Sequence, residues 1–307
     1  MNELVGQSQV TPVFDERLYQ SWLEYIDVKE VTARTYESAI KNLVCWLKDE
    51  GITSPVRQDV LRYKKYLLEV RSASTARLYI VAIRLLFDFL AQEGLYPNIA
   101  KRIKGVKGDG SFKRDYLTSD QARQLLGSIK GNSEQDYRDT AIISLCITSG
   151  LRTIEVSRAD VIDLQKSGDS YILRIQGKGR DDKSDFVLIS AKTHQAILAY
   201  LNGRESGPLF ISTSNNSRGQ RLTTRSISRI VKNRLKEIDI DSPRHTAHSL
   251  RHSCATLNLL AGGTIQETQQ ILRHQSIATT TIYTQHLNML SNLSSQRIED
   301  FIFEQAR

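Results

Sequence analysis

The chain has 307 residues, a formal charge of +8 and a hydrophobic content of 40%, enough to build a core in about two domains. It holds no long apolar run, which excludes an ordinary membrane-spanning helix, and its opening MNELVGQSQVTPVFDER lacks the basic-then-apolar pattern of an export signal, so the expected location is the cytoplasm. The basic balance favours a polyanionic partner, nucleic acid before membrane.

Residues 1–12 read as a tail and 13–102 as a small helical domain. Within it, TARTYESAIKNLVCWLKDEG (32–51) and TARLYIVAIRLLFDFLAQEG (75–94) agree at ten of twenty positions. Each places apolar residues three and four apart: Ile40, Leu43, Val44 and Leu47 in the first, Val81, Leu85, Leu86 and Phe89 in the second. That spacing makes two amphipathic helices, and each stops at Glu-Gly, where glycine takes the left-handed cap. The apolar stripes leave Thr32, Arg34, Thr75 and Arg77 unexplained. A hydroxyl and a guanidinium in a first helical turn suit a phosphate, so these four are expected to touch DNA. Cys45, Cys146 and Cys254 are far apart, odd in number and set among apolar residues; they read as reduced core thiols.

The stretch KRIKGVKGDGSFKR has six basic residues, one acidic residue and three glycines. Its part from 103 to 114 is taken as a basic interdomain linker. From 115 to 307 the pattern is mixed. Ser119 is the expected N-cap of a first helix. DYRDTAIISLCITSGL reads as a buried helix ending at Gly150. SYILRIQ and DFVLI read as a β-hairpin joined by GKGRDDKS. TTRSISRIVKNRLKEIDI (223–240) is amphipathic, with Ile227, Ile230, Val231 and Leu235 on one side and Arg225, Arg229 and Lys232 toward the other. Arg225 and Arg229 are candidates for the major groove.

AHSLRHSCA (247–255) crowds His248, Arg251 and His252 onto one helical face. A metal site would want the carboxylate of H-E-x-x-H, whereas here the cation Arg251 lies between the imidazoles; no metal is expected. Guanidinium and imidazole together suit an anion. TSGLRTIEV adds Arg152 beyond a helix end with Glu155 three residues on. GKG adds Lys178 between two glycines. ILRHQSIATTTIYT adds His274 and, nine residues later, Tyr283.

In this order the set resembles the tyrosine recombinase family, also called the phage-integrase or Xer-type family. GLRxxE matches the family's first arginine, the GKG hairpin its lysine, HSLRHS its H-x-x-R box, and ILRHQSIATTTIYT the box that ends in the tyrosine. The family usually has glycine where this chain has Arg273, a residue that adds a phosphate contact on this reading; His252 is read as structural. The resemblance implies a mainly α fold with a small β-sheet: a SAM-like core-binding domain and an α+β catalytic domain forming a C-shaped clamp on DNA. It implies the nucleophile Tyr283 and the catalytic residues Arg152, Lys178, His248, Arg251 and His274. A tyrosine is a weak nucleophile at its ordinary pKa near 10. Arg152 and Arg251 would neutralise the transition state and favour tyrosinate, His248 would take the tyrosine proton, Lys178 would protonate the leaving 5′ oxygen, and His274 would bond a nonbridging oxygen. No cofactor and no ATP are expected, since the phosphotyrosine stores the bond energy. The implied partner is double-stranded DNA carrying paired recombination sites, held by a homotetramer that works through a Holliday junction. The final helix, with Ile298, Phe301 and Ile302 on one face, either docks on its own domain or couples neighbouring protomers. Only a dozen residues precede the first helix, which suits a simple recombinase without an arm-binding domain. The competing readings are a non-catalytic DNA-binding regulator and a relaxing enzyme of type IB topoisomerase kind.

Overall fold

The computed structural model describes residues 16–107, 115–177, 180–290 and 293–303. The chain divides into two compact units, Met1–Ser111 and Phe112–Arg307.

Among the described residues the first unit holds four helices, α1 (Glu16–Ile26), α2 (Glu30–Asp49), α3 (Arg57–Val70) and α4 (Ala73–Gln92). Their apolar faces meet around Trp22, Ile40, Leu43, Trp46, Tyr63 and Leu67. Tyr63 is fully buried, and its hydroxyl is paired with Asn42 Oδ1 at 2.7 Å, as a buried phenol requires. The internal echo is structural. After α2 the Gly51 N–H reaches Lys48 O and the Ile52 N–H reaches Leu47 O; after α4 Gly94 and Leu95 repeat both bonds to Ala91 and Leu90. Both glycines sit at φ +68 with open space where a Cβ would lie, so the cap needs glycine for its backbone alone.

Three expectations change in this unit. Cys45 and Val44 are exposed, because they fall beside the buried stripe of α2. Ile103 and Val106 are buried in the first core, so the small domain runs past 102 into the stretch assigned to the linker; residues 108–114 lie outside the described ones. Thr32 and Thr75 are third residues of their helices, with their N–H groups already held by Lys29 O at 2.8 Å and Ser72 Oγ at 3.2 Å. Arg34 and Arg77 therefore lie in the second turn and not the first.

The second unit is built on α6 (Glu134–Thr148), buried over most of its length. Around it pack α5 (Ser119–Ser128), the short α7 (Thr153–Arg158), α8 (Ala191–Leu201), α9 (Thr224–Lys236) and α10 (Ala247–Leu260). Thr118, one residue before the expected Ser119, caps α5 in a reciprocal box with Gln121. The hairpin is β2 (Ser170–Ile175) with β3 (Asp185–Ile189), and a strand the sequence did not announce, β1 (Leu164–Ser167), extends it to an antiparallel β1-β2-β3 sheet. Leu173, Ile175, Val187 and Ile189 face the core while Phe186 and Leu188 face out, the alternation a one-sided sheet demands. Arg234 fixes α9 to α6 through Asp139 at 2.8 Å and Asp136 at 2.6 Å. The described residues end in α11 (Ile265–Leu272), α12 (Ala278–Leu290) and α13 (Ser294–Phe303). No helix among the described residues is long and apolar enough to cross a membrane.

Candidate active site

Four segments of the second unit converge. The turn after α6 is tight because Gly150 lies at φ +58; a Cβ there would stand 2.9 Å from Leu272 Cδ2 and 3.3 Å from Cys254 Sγ. That close approach brings the Arg152 turn against the end of α11. Arg251 locks the junction: from α10 it donates to the carbonyls of both Gly150 and Leu272. It is one of the largest fully buried side chains. Burial first, then the like charge of Arg152, pulls its pKa down to about 10, which leaves it charged at neutral pH.

Arg152 is the N-cap residue of α7. Its N–H meets Glu155 Oε2 at 2.7 Å and its Nη1 meets Glu155 Oε1 at 2.8 Å. Glu155 is fully buried. Burial works to raise its carboxyl, but Arg273 and Arg152 outweigh it and hold the group below the usual range.

His248, Arg251 and His252 lie together on α10, as their spacing foretold, but they point into different surroundings. His248 is exposed and Arg251 buried. His252, read as structural, has its Nδ1 2.5 Å from the Tyr283 hydroxyl. The His248 ring stands edge-on to His252, centroids 4.8 Å apart. Tyr283 itself is 3% exposed on α12. Burial drives its pKa up to about 12, more than Arg251 and Arg152 draw it down. The expected tyrosinate is thus not favoured by the site as it stands, because desolvation of the anion outweighs the two positive charges.

His274 follows α11, with Nδ1 2.9 Å from the buried Thr280 hydroxyl. Burial, then Arg251, Arg152 and Arg273, lowers its pKa to about 4. It is a neutral imidazole at physiological pH. Arg273 stands in the left-handed region at φ 51, where a side chain costs about 1 kcal/mol that glycine avoids. Its guanidinium does not reach outward for a phosphate but turns inward to Glu155 Oε2, at 2.6 Å. Lys178 lies outside the described residues.

The candidate DNA contacts are spread over both units. Arg34 is exposed and paired with Glu30 at 2.5 Å; Arg77 is exposed, and Thr32 and Thr75 are half-buried. Arg225 and Arg229 are exposed on α9, opposite its buried Ile227, Val231 and Leu235. Lys232 pairs with Asp241 at 2.9 Å.

Residues 115–289 match the phage integrase family and residues 19–94 match its N-terminal SAM-like domain. The chain belongs to the phage integrase family. Its relatives carry the name tyrosine recombinase. The XerD protein of Bifidobacterium longum is 31% identical over 87% of this chain and 92% of its own length. The XerC protein of Actinobacillus pleuropneumoniae is 33% identical, with 73% of each chain covered. This chain is accordingly a tyrosine recombinase, an enzyme that cleaves and rejoins DNA. Solved structures share its fold. A XerH recombinase bound to a palindromic difH substrate superposes with a TM-score of 0.70 at 20% identity, covering 90% of this chain and 83% of that one. The integrase of transposon Tn1549 in complex with a circular-intermediate DNA gives 0.68 at 19% identity, covering 87% and 93%.

Two features of the candidate site escaped the sequence. His252 carried a usable signal, since it stands four residues after His248 and beside Arg251. The Arg273–Glu155 pair carried none, because its partners are 118 residues apart.

Proposed function

We propose that this recombinase cuts a DNA phosphodiester by attack of the Tyr283 hydroxyl. The new Tyr O–P bond replaces the P–O5′ bond, giving a 3′-phosphotyrosine and a free 5′-hydroxyl. The number of phosphoester bonds is conserved, so a 5′-hydroxyl from a second duplex reverses the step without ATP. Arg152 and Arg251 stabilise the charge that builds on the nonbridging oxygens in the transition state. Neutral His274 donates a hydrogen bond there. His252, supported by the edge of His248, accepts the tyrosine proton in place of His248 alone. Lys178 delivers a proton to the departing 5′ oxygen. The observation that carries this reading is the 2.5 Å contact of the Tyr283 hydroxyl with His252, in a site whose arginines are held by the turns that bear Arg152 and His274.

The macromolecular partner on this reading is double-stranded DNA with paired sites. Arg225 and Arg229 lie on an exposed helical face that suits the groove, and the side chains of Thr32, Arg34, Thr75 and Arg77, not first-turn N–H groups, suit the phosphate backbone. A homotetramer carries two duplexes through a Holliday junction in the cytoplasm. The same exchange serves integration or excision of a mobile element and the resolution of chromosome or plasmid dimers. Exposed Ile298, Phe301 and Ile302 on α13 form an apolar face that suits a neighbouring protomer.

The test uses a half-site selected by the protein from a random duplex library and rebuilt as a nicked suicide duplex. Wild type in EDTA without ATP is expected to give a covalent complex on a denaturing gel, and Tyr283→Phe none. Two intact sites are expected to yield recombinant product, which a relaxing enzyme would not give. Tight binding with no covalent band from wild type overturns the reading in favour of a DNA-binding regulator.

A further inference from the structure

Where glycine is usual in the family, this chain keeps the left-handed backbone, φ 51 and ψ 46, with an arginine on it. The side chain is folded into the protein, 14% exposed. Its Nη1 donates to Ile271 O at 2.7 Å and lies 3.4 Å from Ser149 O, and its Nη2 lies 3.4 Å from Gly150 O. The shortest contact is Nη2 to Glu155 Oε2, at 2.6 Å. That same oxygen accepts the Arg152 N–H, while the other oxygen accepts Arg152 Nη1. Arg273 thus ties the end of α11 to the turn after α6 and to the carboxylate that orients Arg152. It also changes the charge. Arg152 and Arg273 pair with Glu155 and Arg251 acts on it at longer range; the three cations and one carboxylate make a net +2, where glycine would leave +1.

We propose that Arg273 is a positioning residue for the cleavage step: by taking one oxygen of Glu155 it fixes the Arg152 guanidinium for the scissile phosphate and adds one positive charge behind it. This rests on the assignment of Arg152 to the phosphate. Glu155, shared between two cations, neutralises Arg152 less than it would alone. More of the Arg152 charge is then available to a phosphoryl group that gains charge as the Tyr283 bond forms. The influence falls on the transition state more than on DNA binding, since Arg273 is turned away from solvent.

The experiment compares wild type, Arg273→Gly and Arg273→Lys on the nicked suicide duplex, with single-turnover cleavage at saturating protein and DNA affinity measured separately. Arg273→Gly is expected to slow cleavage by about tenfold or more, short of the roughly 100- to 1,000-fold lost with a donor that touches the reacting oxygen. DNA affinity should change little, and Arg273→Lys should recover most of the rate. Thermal melting of each variant checks the fold, and Arg273→Gln takes the same criterion if Arg273→Gly does not melt cooperatively. Cleavage by the uncharged variant at the wild-type rate overturns the proposal. So does a lysine variant as slow as the glycine one, because the charge would then not be what acts. Absence of cleavage by wild type would instead sink the recombinase assignment of the site.

Discussion

Tyr283 enters the site as a buried phenol, with burial pushing its pKa to about 12. On the proposed reading Tyr283 is a nucleophile that stays protonated at neutral pH and needs an acceptor at the moment of attack, and His252 is in contact with its hydroxyl. Replacing His252 by glutamine is expected to slow cleavage by about 100-fold with DNA affinity preserved, read by single-turnover kinetics beside a binding isotherm. An unchanged rate would return the proton to His248. His274 makes a prediction with a definite sign. Its folded pKa lies near 4 against 6.5 for the free side chain, so between those values the unfolded chain binds a proton that the folded chain refuses. The stability it contributes is complete above 6.5 and is lost as pH falls toward 4. The His274 ring signal in an NMR titration should therefore stay flat from about pH 8 down to about pH 5. A midpoint near the ordinary imidazole value would show that the ring is neither buried nor facing the arginines.

The turn between α6 and α7 is the element on which the site depends. Gly150 answers two demands at once, a positive φ and a Cβ position 2.9 Å from Leu272. Gly150→Ala should cost about 2 kcal/mol or more and slow cleavage as well, because Arg251 holds the Gly150 carbonyl. Gly51→Ala and Gly94→Ala meet open space and should cost only the left-handed backbone term of about 1 kcal/mol. Denaturant melts of the three variants give the comparison; equal losses would mean that the Leu272 contact relaxes freely. The helices themselves were legible in the sequence. The repeated Glu-Gly ends, the alternation in β3 and the stripe of Ile227, Val231 and Leu235 on α9 all follow from local periods. The small strand β1 was not, since LQKS has no alternation of its own and is defined by its antiparallel pairing with β2.

At the scale of the whole molecule, the net charge of +8 predicts DNA binding that weakens steeply with salt. If Arg225 and Arg229 each neutralise a phosphate, changing both to alanine should lower the slope of log affinity against log salt by about 2. An unchanged slope together with unchanged affinity, measured by fluorescence anisotropy across a salt series, would remove α9 from the interface. If the proposed tetramer forms through α13, truncation before α13 should leave cleavage of a single suicide site intact and abolish assembly on paired sites, as read by analytical ultracentrifugation. A tetramer that survives the truncation would mean that the apolar face of α13 serves another purpose.

The sequence by itself determined the helical character of both units, because periodicity and caps are local properties, while Arg152, His248, Arg251, His274 and Tyr283 were singled out by the resemblance of their boxes to the family and not by any local period. It also misplaced what depends on direction. Cys45 has apolar neighbours in sequence yet faces out, and Val106 looks like linker yet is buried. Only the tertiary structure decided that His252 meets the tyrosine and that Arg273 turns inward. Both outcomes hang on contacts between segments far apart in the chain: α10 with α12 in one case, α11 with α7 in the other. A side chain's partner across such a distance is set by how the helices pack, and no local pattern records it.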